Sequence, residues 1–182
     1  MLGPRIPGRN GISLAPPTLE DYRLSRVWNA QPELSYFGGP RAGNWSDPAV
    51  EEDFRDSAKE QTGVHWAIAV DGKAVGFTGI DGIDWVRRQG ESYIIVGDLA
   101  LQRRGVASEA VRLRTAYAFR ELNLRRVYNW IVYDNIGSRR ANEKGGYVEQ
   151  GRMRDGFRRG RRLHDVWLGE VLRSEWERKE ST

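Results

Sequence analysis

The chain of 182 residues contains no cysteine. That removes disulfides, thiol nucleophiles and thiolate metal sites from consideration. Only two histidines are present, His65 and His164, so an imidazole-built metal centre is not expected and no metal is assigned. The longest apolar stretches are about strand length, and nothing is expected to span a membrane. Met1 to Asn10 carries Arg5 and Arg9 without an apolar run, which is not the pattern of a signal peptide, and a cytoplasmic location is the default. Catalysis must then rest on carboxylates, hydroxyls, backbone amides or a co-substrate.

The length suits one domain spanning 1–182, with 1–10 a loose N-terminal arm and 174–182 a polar tail. A chain of this size buries roughly 70% of its unfolded surface around a single core. The net charge is +4 and the pI near 9.6. The surplus is concentrated. Arg103, Arg104, Arg112, Arg114, Arg120, Arg125 and Arg126 lie in the middle, and Arg152 to Arg162 carry a second group. Nucleic acid is one partner for such clusters, a phosphate-rich small molecule is another, and solvated helix faces are a third reading.

Hydrophobic periodicity orders the elements. Ile12 to Ala15 reads as a strand stopped by Pro16-Pro17, and Thr18-Leu19-Glu20-Asp21 resembles a capping box opening a helix to about Asn29. Gln31 to Asp47 is rich in Gly, Pro and Ser and reads as a long loop of the binding or lid type. Ser46-Asp47-Pro48 starts a second helix, to about Gln61. Trp66 to Val70 and Ala74 to Ile80 form a hairpin about Asp71-Gly72, a dipeptide suited to positive φ. Glu91 to Val96 is a strand, and Val106, Ala110, Leu113 and Tyr117 recur at helix spacing. Val127 to Tyr133 is a strand, Ser138 to Lys144 a short helix ended by Gly145-Gly146, and two strands close the chain, the last from Leu163 to Leu172. The tryptophans Trp28, Trp66, Trp130 and Trp167 read as core.

The stretch Tyr93 to Ala110 carries the chemistry. A strand ends at Val96-Gly97-Asp98, a turn follows through Gln102-Arg103-Arg104-Gly105-Val106-Ala107, and a helix begins. Such a turn aims backbone N–H groups and the positive helix end at one point. Gly105 and Ala107 allow close approach, and Arg103 and Arg104 supply charge at the rim. Physically this is a cradle for a diphosphate. Neither G-x-G-x-x-G nor G-x-x-x-x-G-K-[ST] is present, so the common nucleotide motifs are not the route to it.

Gln102-x-x-Gly105-x-Ala107 resembles the [QR]-x-x-G-x-[GA] acyl-CoA signature of the GNAT superfamily of N-acetyltransferases. Gly97-Asp98 and Ala107-Ser108-Glu109-Ala110 resemble its RimJ/RimL-like branch. Asn135, Ser138, Glu143, Lys144, Gly146 and Tyr147 match that branch's N-x-x-S-x-x-x-x-E-K-x-G-[FY] pattern with spacing kept. Gly151, Gly160 and Asp165 to Leu172 resemble its closing strands. The resemblance implies an α/β (α+β) fold: a mixed, mostly antiparallel sheet of about seven strands flanked by about four helices and splayed at its centre. Acetyl-CoA, as co-substrate, is expected in that opening. The resemblance places its diphosphate on Gln102, Arg103, Arg104, Gly105, Val106 and Ala107, its pantetheine arm on the main chain of Leu99, Ala100 and Leu101, and its other end on Asn135.

The implied reaction is direct attack of a neutral primary amine, a protein N-terminus or a small molecule, on the thioester. An oxyanion donor is expected among the N–H groups near Leu99. Ser138 is the family's candidate for protonating the departing thiolate, and Tyr133 is a second. Glu91 is the candidate base, with Asp81 and Asp84 nearby. The position where RimL-like members offer a glutamate holds Phe157. Tyr36, Phe37, Trp45 and Trp85 are candidate acceptor-binding residues. A non-catalytic CoA-binding relative and a nucleic-acid-binding module are the competing readings. The latter lacks zinc-finger spacing, a homeodomain-like helix and an RNP-like aromatic pattern, which makes nucleic acid the weaker expectation. Many relatives pair their sheets, so a homodimer is an open expectation.

Overall fold

The computed structural model describes residues 1–34 and 46–181. The chain forms strands β1 (Ile6–Pro7), β2 (Ile12–Ala15), β3 (Val64–Val70), β4 (Lys73–Asp84), β5 (Gln89–Val96), β6 (Arg126–Val132), β7 (Val148–Arg159) and β8 (Arg162–Leu172). Its helices, by the bounds assigned among the described residues, are α1 (Leu19–Asn29), α2 (Asp47–Lys59), α3 (Val106–Arg120), α4 (Ile136–Lys144) and α5 (Arg173–Glu180), with one 3-10 turn at Leu99–Leu101. The eight strands lie in one sheet in the order β1-β2-β3-β4-β5-β6-β8-β7.

Local chemistry explains the boundaries. Thr18 caps α1 by accepting from the N–H of Asp21 at 3.2 Å, while the Asp21 carboxylate accepts from the N–H of Thr18 at 2.8 Å. That reciprocal pair satisfies two amides that the first turn leaves open. Asp71 (φ 49°) and Gly72 (φ 81°) both take positive φ, so the β3–β4 hairpin turns as its dipeptide requires.

The sheet is covered unequally. On one face α3 and α5 bury Val106, Ala110, Val111, Phe119 and Trp176 against Trp66, Ile80, Val127 and Trp167. On the other face α1 packs Tyr22, Leu24 and Trp28 over Ala67, Phe77 and Ile95. That second cover ends near β5. Trp130 on β6 was expected in the core, but it is 46% exposed because it sits on the face beyond that cover.

The sheet is mixed and mostly antiparallel as expected, with eight strands. Two further expectations need correction, the first concerning the N-terminal residues that form β1. Those residues are not a loose arm: the Met1 ammonium donates to the carbonyls of Glu60 (2.9 Å) and Gly63 (2.6 Å), and the Trp66 indole donates to Pro4 O at 2.9 Å. The final segment is not merely a polar tail either. It forms α5, whose Trp176 is 8% exposed and packs 5.5 Å from the Phe119 ring.

The arrangement at the centre positions the site. β5 and β6 are parallel neighbours over only three pairs, Gln89↔Arg126, Gly90↔Val127 and Glu91↔Tyr128. Past Glu91, β5 stays paired to β4 as far as Val96. Past Tyr128, β6 stays paired to β8 as far as Val132. The two strands therefore part, and each presents an unpaired edge to the gap. Buried backbone polar groups need partners, so this gap is suited to a ligand with amide-like donors and acceptors.

Candidate active site

The gap opens toward the C-terminal ends of β5 and β6, where the cradle lies. Beyond β5, Gly97 N–H donates to Val75 O at 2.7 Å, and the Asp98 carboxylate accepts from Ala100 N–H at 3.0 Å. Leu101 N–H donates to Asp98 O and Gln102 N–H to Leu99 O, at 3.1 and 3.2 Å. The turn Leu99–Leu101 thus closes on itself. The N–H groups of Ala100, Leu101 and Gln102 are therefore engaged within the turn, which narrows the main-chain groups it can offer a pantetheine arm. The edge of β5 before it, past Glu91, has no strand partner on the β6 side and adds further main-chain groups.

The chain next swings through Arg103 (φ 63°) and Gly105 (φ 82°) into α3. Gly105 is the N-cap residue and has no side chain with which to cap the helix. Among the described residues, nothing accepts from the N–H groups of Arg103, Gly105, Val106, Ala107 or Ser108. The first capping bond is Glu109 N–H to Gly105 O at 3.0 Å. A helix start with its amides unpaired and its positive end exposed attracts an anion. A Cβ built on Gly105 would have no heavy atom within 4 Å, so the space in front of those amides is open. Beside it lies a surface pocket of about 260 Å³, with Arg9, Arg104, Arg112 and Lys144 in its lining. Glu109 engages Arg112 at 2.6 Å and also accepts from Arg9 N–H at 2.9 Å. Both contacts hold the Glu109 carboxyl below its ordinary pKa, the Arg112 bond most of all.

Glu91 stands at the apex, in the last pair before the strands part. Burial pushes its pKa up, against a hydrogen bond from Trp130 that lowers it, while the nearby Asp81 charge raises it further. A carboxylate raised in this way is suited to taking a proton near neutral pH. Asp84 is not available for that task. Its carboxylate caps the β4–β5 turn, accepting from Val86 N–H at 2.9 Å and Arg87 N–H at 2.8 Å, and its pKa is lowered accordingly. Asp81 lies beside the buried His65, whose ring nitrogens meet Glu60 at 2.7 Å and the Tyr93 hydroxyl at 3.0 Å.

On the other wall, Asn135 caps α4 by accepting from Ser138 N–H at 3.2 Å. That bond uses the side-chain oxygen of Asn135, and its amide nitrogen remains for other work. The Ser138 hydroxyl is half-buried with no hydrogen-bond partner among the described residues. Tyr133 directly follows β6, and two guanidiniums lie against its ring, Arg139 at 4.1 Å and Arg152 at 4.0 Å. Both cations were absent from the sequence reading of the site. Arg139 follows Ser138 directly, which was the available signal. Arg152 reaches Tyr133 only through the β7–β8 pairing.

The acceptor wall is the weakest part of the sequence reading. Tyr36, Phe37 and Trp45 lie outside the described residues. Trp85 stands in the β4–β5 turn, where its indole donates to Gln61 O at 3.1 Å, at the Glu91 end of β5 and away from the cradle. Phe157 packs its ring 6.2 Å from Trp130 on the uncovered sheet face.

Comparison with known proteins agrees with this geometry. Residues 12–148 match the family model described as "Acetyltransferase (GNAT) domain". The chain is 28% identical over 145 residues to "Putative ribosomal N-acetyltransferase YdaF" of Bacillus subtilis (strain 168), covering 79% of this chain and 78% of that protein. Its fold superposes with a TM-score of 0.83 on spermidine N-acetyltransferase from Vibrio cholerae in complex with CoA and spermine, at 20% identity over 92% of this chain and 98% of the other. A dodecameric form of that Vibrio cholerae enzyme matches with a TM-score of 0.80 at 21% identity, over 93% of this chain and 98% of that one. With its sheet parted at the centre and open amides heading α3, the chain belongs to the GNAT family of N-acetyltransferases.

Proposed function

We infer that the chain carries an acetyl group from acetyl-CoA to a primary amine that enters from the uncovered face beside β5 and β6. The observation that supports this most is the coincidence of two features at one end of the sheet: the three-pair contact of β5 with β6 and the unpartnered amides of Arg103 and Gly105 to Ser108. The residues fit the co-substrate. Open amides suit a diphosphate, Arg103 and Arg104 add charge, and the edge of β5 past Glu91 suits an amide-bearing arm. Bound there, the thioester supplies the acyl group.

The chain's own residues account for the remaining tasks. Glu91, raised by burial, accepts the amine proton directly or through a water. The oxyanion is assigned to N–H donors on the open edge of β5, which has no strand partner on that side past Glu91. Ser138 is assigned the proton that the departing thiolate takes up, a role supported by its half-buried hydroxyl with no partner among the described residues. Tyr133 is the alternative, and Arg139 and Arg152 flank it with positive charge that favours an anion nearby. The carboxylate absent at Phe157 is supplied instead by the strand residue Glu91.

The acidic groups near the apex, Glu60, Asp81 and Glu91, favour an acceptor that arrives as a cation and loses its proton on site. The test is CoA-thiol release with acetyl-CoA and an amine panel of spermidine, a peptide with a free N-terminus and the same peptide blocked. Turnover with a free amine and none with the blocked peptide is expected. Tight acetyl-CoA binding with no thiol release across the panel would leave the chain a non-catalytic binder.

A further inference from the structure

Arg114, at the middle of α3, is 0% exposed, and no carboxylate pairs with it among the described residues. A guanidinium carries its charge wherever it lies, and burying one without a counter-charge costs stability. The groups it touches do not need it. Tyr93 O accepts from the Thr78 hydroxyl at 2.7 Å as well as from Arg114 at 2.6 Å. The Tyr147 hydroxyl, 3.3 Å from the guanidinium, also has Ser92 at 3.2 Å and Thr115 at 3.4 Å. Without Arg114 each of these groups keeps a partner, whereas the guanidinium adds an Nε that has none. Hydrogen-bond satisfaction therefore does not account for a charge at this place.

The bond to Tyr93 O connects that charge to the gap. Gly97 N–H donates to Val75 O at 2.7 Å, and the β4–β5 register runs without a shift from Gly76↔Val96 to Asp81↔Glu91. In an antiparallel ladder alternate residues turn their main-chain groups to the same neighbour. Ile95, Tyr93 and Glu91 thus face β4 along with Gly97, while Val96, Ile94 and Ser92 face the other edge. Past Glu91 that edge has no strand partner. Tyr93 C=O and Ile94 N–H belong to one trans peptide and point in opposite directions. The guanidinium therefore sits behind the oxygen of a peptide whose N–H faces the gap.

We propose that Arg114 is a positioning residue for acyl transfer, its buried charge polarising the Tyr93–Ile94 peptide so that Ile94 N–H is the main donor to the oxyanion. This role rests on the acetyl-transfer reading, which leaves the donor on β5 open. As the amine nitrogen bonds to the thioester carbon, the C=O electron pair moves onto oxygen. It returns when the C–S bond breaks and the thiolate leaves. Negative charge on that oxygen exists only between the two events. An oxyanion on Ile94 N–H would stand roughly 8 Å from the guanidinium, with one peptide between them. Hydrogen bonds in a chain strengthen one another, most of all in a dry interior. An interaction made only with the developing charge raises kcat without tightening substrate binding.

The test is Arg114→Met, which fills the space without charge. No buried partner is orphaned, so the variant is expected to melt no lower than wild type. Its Kd for acetyl-CoA should stay within about threefold while kcat for thiol release falls about tenfold or more. Arg114→Gln keeps an amide donor but no charge and is expected to lose as much. Infrared difference spectra of bound, isotope-labelled acetyl-CoA need no turnover. In wild type the thioester carbonyl stretch is expected below its frequency in solution, and Arg114→Met should abolish about half of that shift or more. A Met or Gln variant as fast as wild type, a loss of rate that follows a fall in Tm or in acetyl-CoA affinity, or a carbonyl stretch the same in wild type and both variants would each overturn the role while leaving acetyl transfer intact. A wild type that binds acetyl-CoA and releases no thiol with any amine would instead sink the acetyl-transfer reading, and this role with it.

Discussion

Gly105 and Gly160 offer a matched pair of perturbations. Both have positive φ, 82° and 57°, and at both a built Cβ meets no heavy atom within 4 Å. Replacing either by Asp therefore creates no clash and a similar backbone cost, on the order of 1 kcal/mol, since Asp is among the residues that tolerate the left-handed region. For a chain of this length that corresponds to a fall in Tm of about 2–4 °C. The two sites differ only in their surroundings. At Gly105 the new carboxylate enters the space before the free amides of α3. A unit charge about 5 Å from each of two diphosphate charges costs about 1.7 kcal/mol in a water-like dielectric and several times that at an effective constant of 20. The carboxylate can also accept from the amides that the diphosphate needs. Gly105→Asp should thus weaken acetyl-CoA binding at least tenfold by isothermal titration calorimetry, while Gly160→Asp leaves it within about twofold. Equal affinities in the two folded variants would refute the placement of the diphosphate at the head of α3.

Ser138→Ala should lower kcat more than it raises the Kd for acetyl-CoA, because the Asn135–Ser138 capping bond uses the backbone N–H of Ser138 and survives the substitution; an unchanged rate in stopped-flow thiol release would make Ser138 structural. Glu91→Gln should lower kcat/KM by about 10²–10⁴-fold and remove the acid limb of its pH profile, whose midpoint should lie above the ordinary carboxylate range because burial raises this group. A raised carboxyl contributes stability that is present below its unfolded pKa and lost as pH rises through its folded one, so the Gln variant should melt no lower than wild type at pH 7 and lose any relative gain below about pH 4. Tyr147→Phe removes the hydroxyl shared by Ser92, Thr115 and Arg114 and should cost about 1–3 kcal/mol in urea unfolding, and an unchanged midpoint would show that water replaces it.

Much of the fold was legible because its signals are local. Asp71-Gly72, the Thr18 box and the apolar period of α3 each act within a few residues, and each appears where expected. The turn proposed to hold the diphosphate has a shape that was legible for the same reason, since a strand end, a glycine turn and a helix start are contiguous. What was missed depends on distance along the chain. Nothing in Gly3-Pro4 announces that Pro4 O will accept from Trp66, 62 residues away. Trp130 reads as core by its composition and alternation. It is exposed because no described element packs over it on that face, and a strand pattern does not record what lies above it. The bond from the Trp85 indole to Gln61 O likewise joins residues 24 apart in the chain, which no local pattern announces.

The parting of β5 from β6 was legible only through family resemblance, and the structure gives it a physical cause. Immediately past the last paired residues, Ser92 and Asn129 turn into the face covered by α3. Ser92 meets the Tyr147 hydroxyl at 3.2 Å, and Asn129 donates to Asn142 at 2.8 Å. Arg114, fully buried, donates to Thr78 at 2.8 Å, to Tyr93 O at 2.6 Å and to Tyr147 at 3.3 Å. Polar groups from β4, β5, β6, α3 and α4 thus converge beneath the apex. Apolar side chains there would leave no polar link between the strands and helices where main-chain pairing stops. A hydrogen-bonded set instead fixes each strand separately to a helix, which lets the ladder end abruptly without leaving the chain free to close. Buried networks of this kind specify one arrangement only when nearly every member is satisfied, and the two atoms without partners here, Arg114 Nε and Asn129 Oδ1, lie within it. The same set therefore ties the gap that a thioester would enter to the α4 start that presents Ser138, through the bond from Asn142 to Ser138 O at 2.9 Å.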